Sequence, residues 1–187
     1  MVELSVVVGI VLLLSLLAIG SYANFSRGRR VLAAAQGISS VLTTARAYAI
    51  ATNRWQRVVI QFRNPDTNAE EFAYWIDEIA QNSSTTPNPP LPGTDSGILK
   101  PKVTTPEFVR PEVRIASVFL DNSDTATTYP ASANGSVVIR FRPDGSSDHA
   151  VVNLTARSND PLDESRYYRV KLYGPTGKSK VFPGPGT

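Results

Sequence analysis

The chain begins with a long uninterrupted apolar stretch. No charged residue occurs between Leu4 and Ser26, and Leu4–Ile19 is almost entirely aliphatic. A helix rises about 1.5 Å per residue and the hydrocarbon core of a bilayer is about 30 Å thick, so about 20 such residues can cross it. The stretch is too long for the hydrophobic region of a signal peptide, and it lacks the positive leading region and the clear small-residue cleavage site of one. The pattern therefore predicts a transmembrane helix over residues 1–26, in preference to a buried globular helix.

A second helical pattern follows without an intervening turn. Over residues 27–54, apolar residues recur at spacings of three and four and form one stripe along a helix. The stripe consists of Val31, Ala34, Ala35, Ile38, Val41, Leu42, Ala45, Tyr48 and Ala49. A single helix from about Glu3 to Thr52 would be about 75 Å long. We expect its amphipathic half to pack on the rest of the protein while its first half projects.

The remaining residues, 55–187, favour strands. The segments that alternate in polarity or are rich in β-branched and aromatic residues are Trp55–Arg63, Phe72–Glu78, Arg114–Leu120, Val137–Arg142, Ala150–Ala156, Tyr167–Tyr173 and Ser179–Phe182. Residues 82–112 are rich in Pro, Ser and Thr, which predicts a long loop. Pro143–Asp148 and Gly174–Gly177 are typical of turns that join the two strands of a hairpin. The fold class expected is α+β: one long N-terminal helix packed on an antiparallel β-sheet domain of about seven strands.

Charge is distributed unevenly along the 187 residues. Residues 1–63 contain seven arginines and one acid, Glu3, whereas residues 64–187 contain the remaining 12 basic and 15 acidic residues. The net charge of +3 and the high pI therefore belong to the N-terminal third. The mildly acidic body argues against a domain that coats nucleic acid.

The arginines also bear on orientation in a membrane. Arg27, Arg29 and Arg30 follow the apolar stretch and nothing basic precedes it. The positive-inside rule would place the β domain in the cytoplasm, unless the precursor carried a basic leader that this sequence lacks.

The sequence contains no convincing catalytic, cofactor or metal site. There is no Cys, which excludes disulfides, thiolate metal sites and thiol catalysis, and the single histidine is His149. The residues that suggest a catalytic triad or a calcium loop around it share one predicted, solvent-exposed turn: Asp144, Ser146, Ser147 and Asp148. Residues 174–180 contain Gly-Lys-Ser but lack the first glycine and the following helix of a phosphate-binding loop. We therefore expect a protein that is not an enzyme.

Glu3 is the exception, because a carboxylate beside a membrane segment is costly and is usually functional or paired. Met-Val-Glu-Leu-Ser-Val-Val-Val-Gly-Ile-Val resembles the mature N-terminus of type IV pilins and type II secretion pseudopilins, in which a glutamate opens the apolar run. The family's first two mature residues and its leader would then precede Met1. Residues 43–62, 139–154 and 169–182 are similar to the GspH/FimT-type minor pseudopilins. Gly20 stands where the family commonly has a helix-breaking proline, and we expect it to loosen the helix.

This resemblance implies a structural subunit of a type II secretion pseudopilus or a type IV pilus, with no cofactor. The subunit would cross the inner membrane once, with an extracytoplasmic globular domain, and would then join a periplasmic pseudopilus or a cell-surface pilus. Its partners would be other pilin or pseudopilin subunits, contacted through Glu3, Leu4, Val7, Val8, Val11 and Leu14. Glu3 would neutralise the α-amino group of an adjacent subunit, and the mature N-terminus would be methylated.

Two other interpretations remain open. Some FimT-like pilins resemble DNA-uptake receptors, and the residues available for phosphate contact are Arg166, Arg169, Lys171, Lys178 and Lys180. The acidic body and the neighbouring Asp163–Glu164 argue against DNA. The second alternative is a single-pass membrane protein with a cytoplasmic β domain.

Overall fold

The structure is a computed structural model that describes residues 2–63, 70–79, 98–100, 102–122, 125–130, 136–157 and 167–184. Side chains are described for these residues except 2–5, 14, 16–27, 70, 98–100, 122 and 125–130. The first predicted interstrand turn, most of the Pro/Ser/Thr-rich segment and Arg166 lie outside the described residues.

One helix accounts for the whole N-terminal pattern. Helix α1 spans Val2–Thr52, 51 residues, and contains no proline. It ends at Asn53, whose positive φ of 51° is a left-handed conformation that asparagine tolerates. The Asn53 and Arg54 N–H groups donate to the carbonyls of Ile50 and Ala49, which closes the last turn as a Schellman motif.

The described part of the chain contains ten strands, which form two antiparallel sheets rather than the one sheet expected. Their bounds are β1 Gln56–Arg63, β2 Glu70–Ile79, β3 Ile98–Lys100, β4 Glu107–Phe108, β5 Val113–Asn122, β6 Thr125–Pro130, β7 Ser136–Phe141, β8 His149–Ala156, β9 Tyr168–Tyr173 and β10 Lys178–Pro183. The first sheet has the order β3-β2-β1-β7, with β4 also paired to β2. The second has the order β10-β9-β8-β5-β6.

The second half of α1 packs against both sheets. Most residues of the predicted apolar stripe belong to the core or pack against it. Those that are buried are Val31, Ala35, Ile38, Leu42, Ala45 and Ala49, and those that are partly buried are Ala34 and Val41. Tyr48 differs, because it is 40% exposed. The α+β class and the packed amphipathic half of the helix are therefore confirmed.

The strand predictions were incomplete. All seven predicted segments contain strands, but β3, β4 and β6 were missed. Strands β3 and β4 lie inside the segment predicted to be a loop, and β4 is only two residues long with both side chains exposed. Segments of two or three residues are too short to show an alternation of polar and apolar residues. Their strand conformation is specified by pairing with β2.

Pro143–Asp148 was predicted to join the two strands of a hairpin, but it connects strands of different sheets. The chain does reverse locally, since the Arg142 N–H donates to the Ser146 carbonyl and the Asp148 N–H donates to the Arg140 carbonyl. Strand β7 nevertheless belongs to the first sheet and β8 to the second. Turn residues specify a reversal but not the sheet that the returning strand joins. The Gly174–Gly177 turn does connect a hairpin, β9–β10.

Candidate functional site

The first half of α1 exposes large aliphatic side chains. Val6, Val7, Val8, Ile10, Val11, Leu12 and Leu13 are between 49% and 62% exposed. Fully burying one such side chain is worth about 1.5–3 kcal/mol, so a row of them is costly in water. Contiguous exposed apolar surface of this kind marks a site of interaction with protein or lipid.

The assembly residues predicted from the sequence all lie on this helix. Val7, Val8 and Val11 are about half exposed or more. Glu3, Leu4 and Leu14 belong to α1, but their side chains are among those not described. The helix continues through Gly20 without a break, and its loosening during assembly stays a prediction.

In the part of the chain whose residues are described, no helical segment is both long enough and apolar enough to cross a bilayer. The transmembrane helix predicted for residues 1–26 falls largely on positions whose side chains are not described.

Hydrogen bonds connect the second half of α1 to the β domain at three positions along the helix. Arg30 donates to the Glu112 carboxylate at 3.3 Å near the point where the helix enters the domain. The Ser39 and Ser179 hydroxyls lie 2.8 Å apart midway along. Arg46 Nε donates to the Gly145 carbonyl at 3.2 Å near the helix end. These contacts hold the packed half in one position against the β domain.

A basic and aromatic surface covers the outer face of strands β9 and β10. Val170 and Leu172 of β9 are buried, so the alternate residues of that strand point away from the core. Strand β10 pairs Lys178 with Tyr173, Lys180 with Lys171 and Phe182 with Arg169. We call this surface the basic face; it consists of Arg169, Lys171, Tyr173, Lys178, Lys180 and Phe182. Four of the five residues predicted for DNA contact are thus together, and Arg166 lies outside the described residues.

Aromatic rings lie against the cations of the basic face. The Arg169 guanidinium and the Lys180 ammonium lie 5.4 and 5.2 Å from the Phe182 ring centroid. The Lys171 ammonium lies 5.2 Å from the Tyr173 ring centroid. These contacts hold the long side chains across the sheet. The aromatic residues were missed from the sequence, although their alternation with the basic residues in β9 and β10 could have indicated them.

The turn around His149 forms no catalytic arrangement. The Ser146 hydroxyl and N–H both donate to the Asp144 carboxylate, and these hydrogen bonds lower the pKa of that exposed acid. Ser147 and Asp148 are buried, and Arg140 Nε donates to Asp148 at 2.8 Å. The expectation of a wholly solvated turn is therefore wrong: Asp148 is buried, and its carboxylate accepts a hydrogen bond from Arg140. Among the described residues, no three potential metal ligands cluster.

One buried ion pair and one partly buried hydrogen bond in the first sheet were not predicted. Arg57 and Asp77 lie opposite each other in β1 and β2 and form a buried ion pair, with Arg57 Nε 3.0 Å from Asp77 Oδ2. The Tyr74 hydroxyl donates to Glu107 at 2.6 Å. Burial raises the pKa of Tyr74, and the hydrogen bond to the Glu107 carboxylate raises it further. The sequence offers no signal for these pairs without the strand register.

An open groove of about 250 Å³ lies near the end of the domain that α1 enters. Its lining consists of Glu71, Phe72, Phe108, Val109, Arg110, Pro111, Val113 and Arg157. These described residues include no cluster of acid, base and nucleophile that would indicate a reaction.

No protein-family model matches the chain, and no curated protein matches it in sequence. Two solved structures are similar to it in fold, and both are of the minor pseudopilin EpsH from the type II secretion system of Vibrio cholerae. One is 13% identical, with a TM-score of 0.47, over 84% of this chain and 99% of that chain. The other is 13% identical, with a TM-score of 0.48, over 85% of this chain and 97% of that chain. At this identity the likeness concerns the fold alone.

Proposed function

We propose that the chain is a pilin-like structural subunit of a type II secretion pseudopilus or a type IV pilus, without enzymatic activity. The observation that carries this proposal is the division of one continuous helix. Its second half packs on the β domain, while the described aliphatic side chains of its first half are 49% to 62% exposed. A helix of this kind needs a cover that the domain does not supply.

Lipid and equivalent helices can each provide that cover. Before assembly the apolar half lies in the inner membrane, with the β domain on the extracytoplasmic side. In the filament it packs against the same segment of neighbouring pilin or pseudopilin subunits. The exchange is feasible because both environments bury Val7, Val8 and Val11 away from water. The rigid attachment of the second half then carries the β domain to the outside of the filament.

Glu3 gives this assembly its register. In an apolar filament core its carboxylate needs a cation, and the α-amino group of an adjacent subunit supplies one. Removing one partner from such a buried pair typically costs about 3–5 kcal/mol, because the other charge is left unpaired.

The test replaces Glu3 by Ala or Val in the full-length chain. We expect both variants to insert into the membrane normally but to assemble poorly, as measured by membrane fractionation and by the yield of sheared filaments. Glu3→Asp keeps the charge and serves as the matched control, with assembly closer to that of the unaltered chain. Normal filament yield from Glu3→Ala would overturn the role assigned to Glu3.

Orientation is tested separately, because the arginines after the apolar segment favour the alternative of a cytoplasmic β domain. Protease added to spheroplasts from the periplasmic side should degrade the β domain. Protection that disappears only when the membrane is permeabilised would instead support the cytoplasmic alternative.

DNA binding is the second candidate function, and the basic face favours it. Arg169, Lys171, Lys178 and Lys180 lie on one outward surface beside two aromatic rings, an arrangement suited to phosphate and base contacts. Lys171 and Lys180 are direct cross-strand neighbours, so one phosphate could contact both.

The DNA hypothesis is tested by duplex binding over a range of salt concentrations. If the basic face binds DNA, Lys171→Gln with Lys180→Gln should lower the slope of log affinity against log salt by about 1 for each phosphate that these lysines no longer neutralise. Lys102→Gln, an exposed lysine beside the first sheet, is the control and should leave the slope unchanged. Absence of binding by the unaltered chain at low salt would remove this candidate.

A further inference from the structure

An exposed aromatic ring lies among arginines at the end of the domain that α1 enters. Phe108 is 63% exposed, more than any other large hydrophobic side chain among the described residues. Arg110, Pro111 and Arg157 are also exposed and line the same groove as Phe108. We call these four residues the base surface. Two arginines and one acid, Glu71, line the groove. The exposed carboxylates of Glu107 and Glu112 flank it, and they accept hydrogen bonds from Tyr74 and Arg30.

Hydrogen bonds place the base surface close to the apolar half of α1. Glu112, which follows Pro111, accepts a hydrogen bond from Arg30 at 3.3 Å, and its carbonyl accepts one from the Arg157 N–H at 2.7 Å. Arg30 lies about 6 Å along the helix axis beyond Ser26, the last residue of the uncharged stretch. The headgroup layer on one side of a bilayer is about 5–8 Å thick. With the apolar stretch in a membrane, the base surface therefore lies at the level of the headgroups.

We propose that the base surface binds the phospholipid headgroups of the membrane that holds α1 before assembly. Phe108 inserts its ring among the headgroups, while Arg110 and Arg157 contact lipid phosphates. This inference rests on the proposed insertion of α1 in a membrane.

The chemistry of the base surface suits this occupant, and its position beside the apolar half of α1 favours lipid over a protein partner. Aromatic side chains are favoured at the boundary between water and lipid, and guanidinium groups bind phosphate through paired hydrogen bonds. The exposed Arg29 lies on α1 at the same level and adds to the attraction for anionic headgroups. Because the base surface lies beside the membrane segment, lipid headgroups are already next to it once α1 is inserted.

The consequence is a defined tilt of the β domain on the membrane. Two attachments, α1 and the base surface, restrict the domain more than a single helix does. Extraction into a filament would then have to break the headgroup contacts as well as remove α1 from lipid.

The absence of cysteine makes a direct test possible, because one introduced cysteine is labelled selectively. Phe108→Cys in the full-length chain is labelled with an environment-sensitive fluorophore and reconstituted in mixed phosphatidylcholine–phosphatidylglycerol vesicles that contain headgroup-spin-labelled lipid. Pro175→Cys, an exposed position in the β9–β10 turn at the other end of the domain, is the matched control. Val8→Cys with acyl-chain-spin-labelled lipid reports insertion of α1.

We expect the spin-labelled headgroups to quench the label at 108 several-fold more than the label at 175. Adding Arg110→Glu to the Phe108→Cys chain should reduce quenching at 108, whereas adding Lys178→Glu should not. Quenching at 8 without quenching at 108 would overturn this inference and leave the proposed function intact. Quenching at neither position would overturn membrane insertion, and this inference with it. A blue shift at 108 that depends on protein concentration but not on spin-labelled lipid would assign the base surface to a second copy of the chain and overturn the lipid proposal.

Discussion

At the residue scale, each buried acid among the described residues forms an ion pair with an arginine. Arg57 and Asp77 form a buried ion pair in the first sheet, and Arg140 binds the buried Asp148 in the turn between the sheets. Leaving either partner alone inside would cost about 3–5 kcal/mol, which explains why neither charge is isolated. Tyr74 is also buried, and its hydroxyl donates to Glu107.

Tyr74 predicts a specific alkaline instability. The phenol is held protonated in the folded protein, while an unfolded tyrosine ionises with a pKa near 10.0. The stabilisation is therefore fully present below that pH and is lost as the pH rises above it toward the folded-state pKa. At neutral pH, Tyr74→Phe should lower the free energy of unfolding by about 0.5–1.5 kcal/mol, because the hydrogen bond to the exposed Glu107 carboxylate is lost. At a pH above the pKa of an unfolded tyrosine, the difference in unfolding free energy between the two proteins should become smaller.

The measurement is urea unfolding of both full-length proteins in detergent, followed by tryptophan fluorescence from neutral to alkaline pH. The other tyrosines are common to both proteins and cancel in the comparison. A difference in unfolding free energy that stays constant through this range would contradict the assignment.

At the element scale, α1 is two functional segments in one helix. Every third or fourth residue of its second half is buried between the sheets, including Ile38, Leu42 and Ala45. The described part of its first half makes no such pattern, because its large side chains are exposed on every side. The packed half therefore stabilises the domain, whereas the described part of the other half exposes its apolar side chains.

Substitutions at Leu42 and Gln36 test whether the buried face of the packed half stabilises the β domain. Leu42 is fully buried, so Leu42→Ala should lower the unfolding free energy of the β domain by about 2–5 kcal/mol. Gln36 is exposed on the same helix, and Gln36→Ala should change it by less than about 0.5 kcal/mol. Tryptophan fluorescence during denaturation reports the domain rather than α1, since both tryptophans, Trp55 and Trp75, lie outside the helix. Equal effects of the two substitutions would contradict the packing described.

The sequence predicts local elements better than their arrangement. The periodicities found α1 and seven strands because those segments bury one face. The periodicities missed β3 and β4, which are specified by pairing with β2. The crossing from β7 to β8 was missed because the Asp-Gly turn reverses the chain equally well within a sheet and between two. For the candidate site, the lysines of the basic face were predicted, but Phe108 and Arg157 are far apart in the sequence and line one groove only in the folded chain.

At the scale of the whole molecule, the exposed apolar half of α1 is separate from the β domain that packs on its other half. The two sheets enclose only the second half of α1, and the contacts of Arg30, Ser39 and Arg46 fix that half against the domain. The packed half and the β domain are therefore expected to move together. In the filament proposed above, the position of each packed half would then determine where its β domain lies.

Site-specific photo-crosslinking from Val8 tests this account most directly. A benzoylphenylalanine at position 8 of the full-length chain, expressed in its native host, lies on the apolar half of α1. Position 175, exposed in the β9–β10 turn at the other end of the domain, is the control. During filament assembly we expect adducts from position 8 to the N-terminal helices of pilin-like subunits, identified by mass spectrometry, and none to those helices from position 175. Adducts from position 8 to lipid alone, in cells that are assembling filaments, would contradict the account.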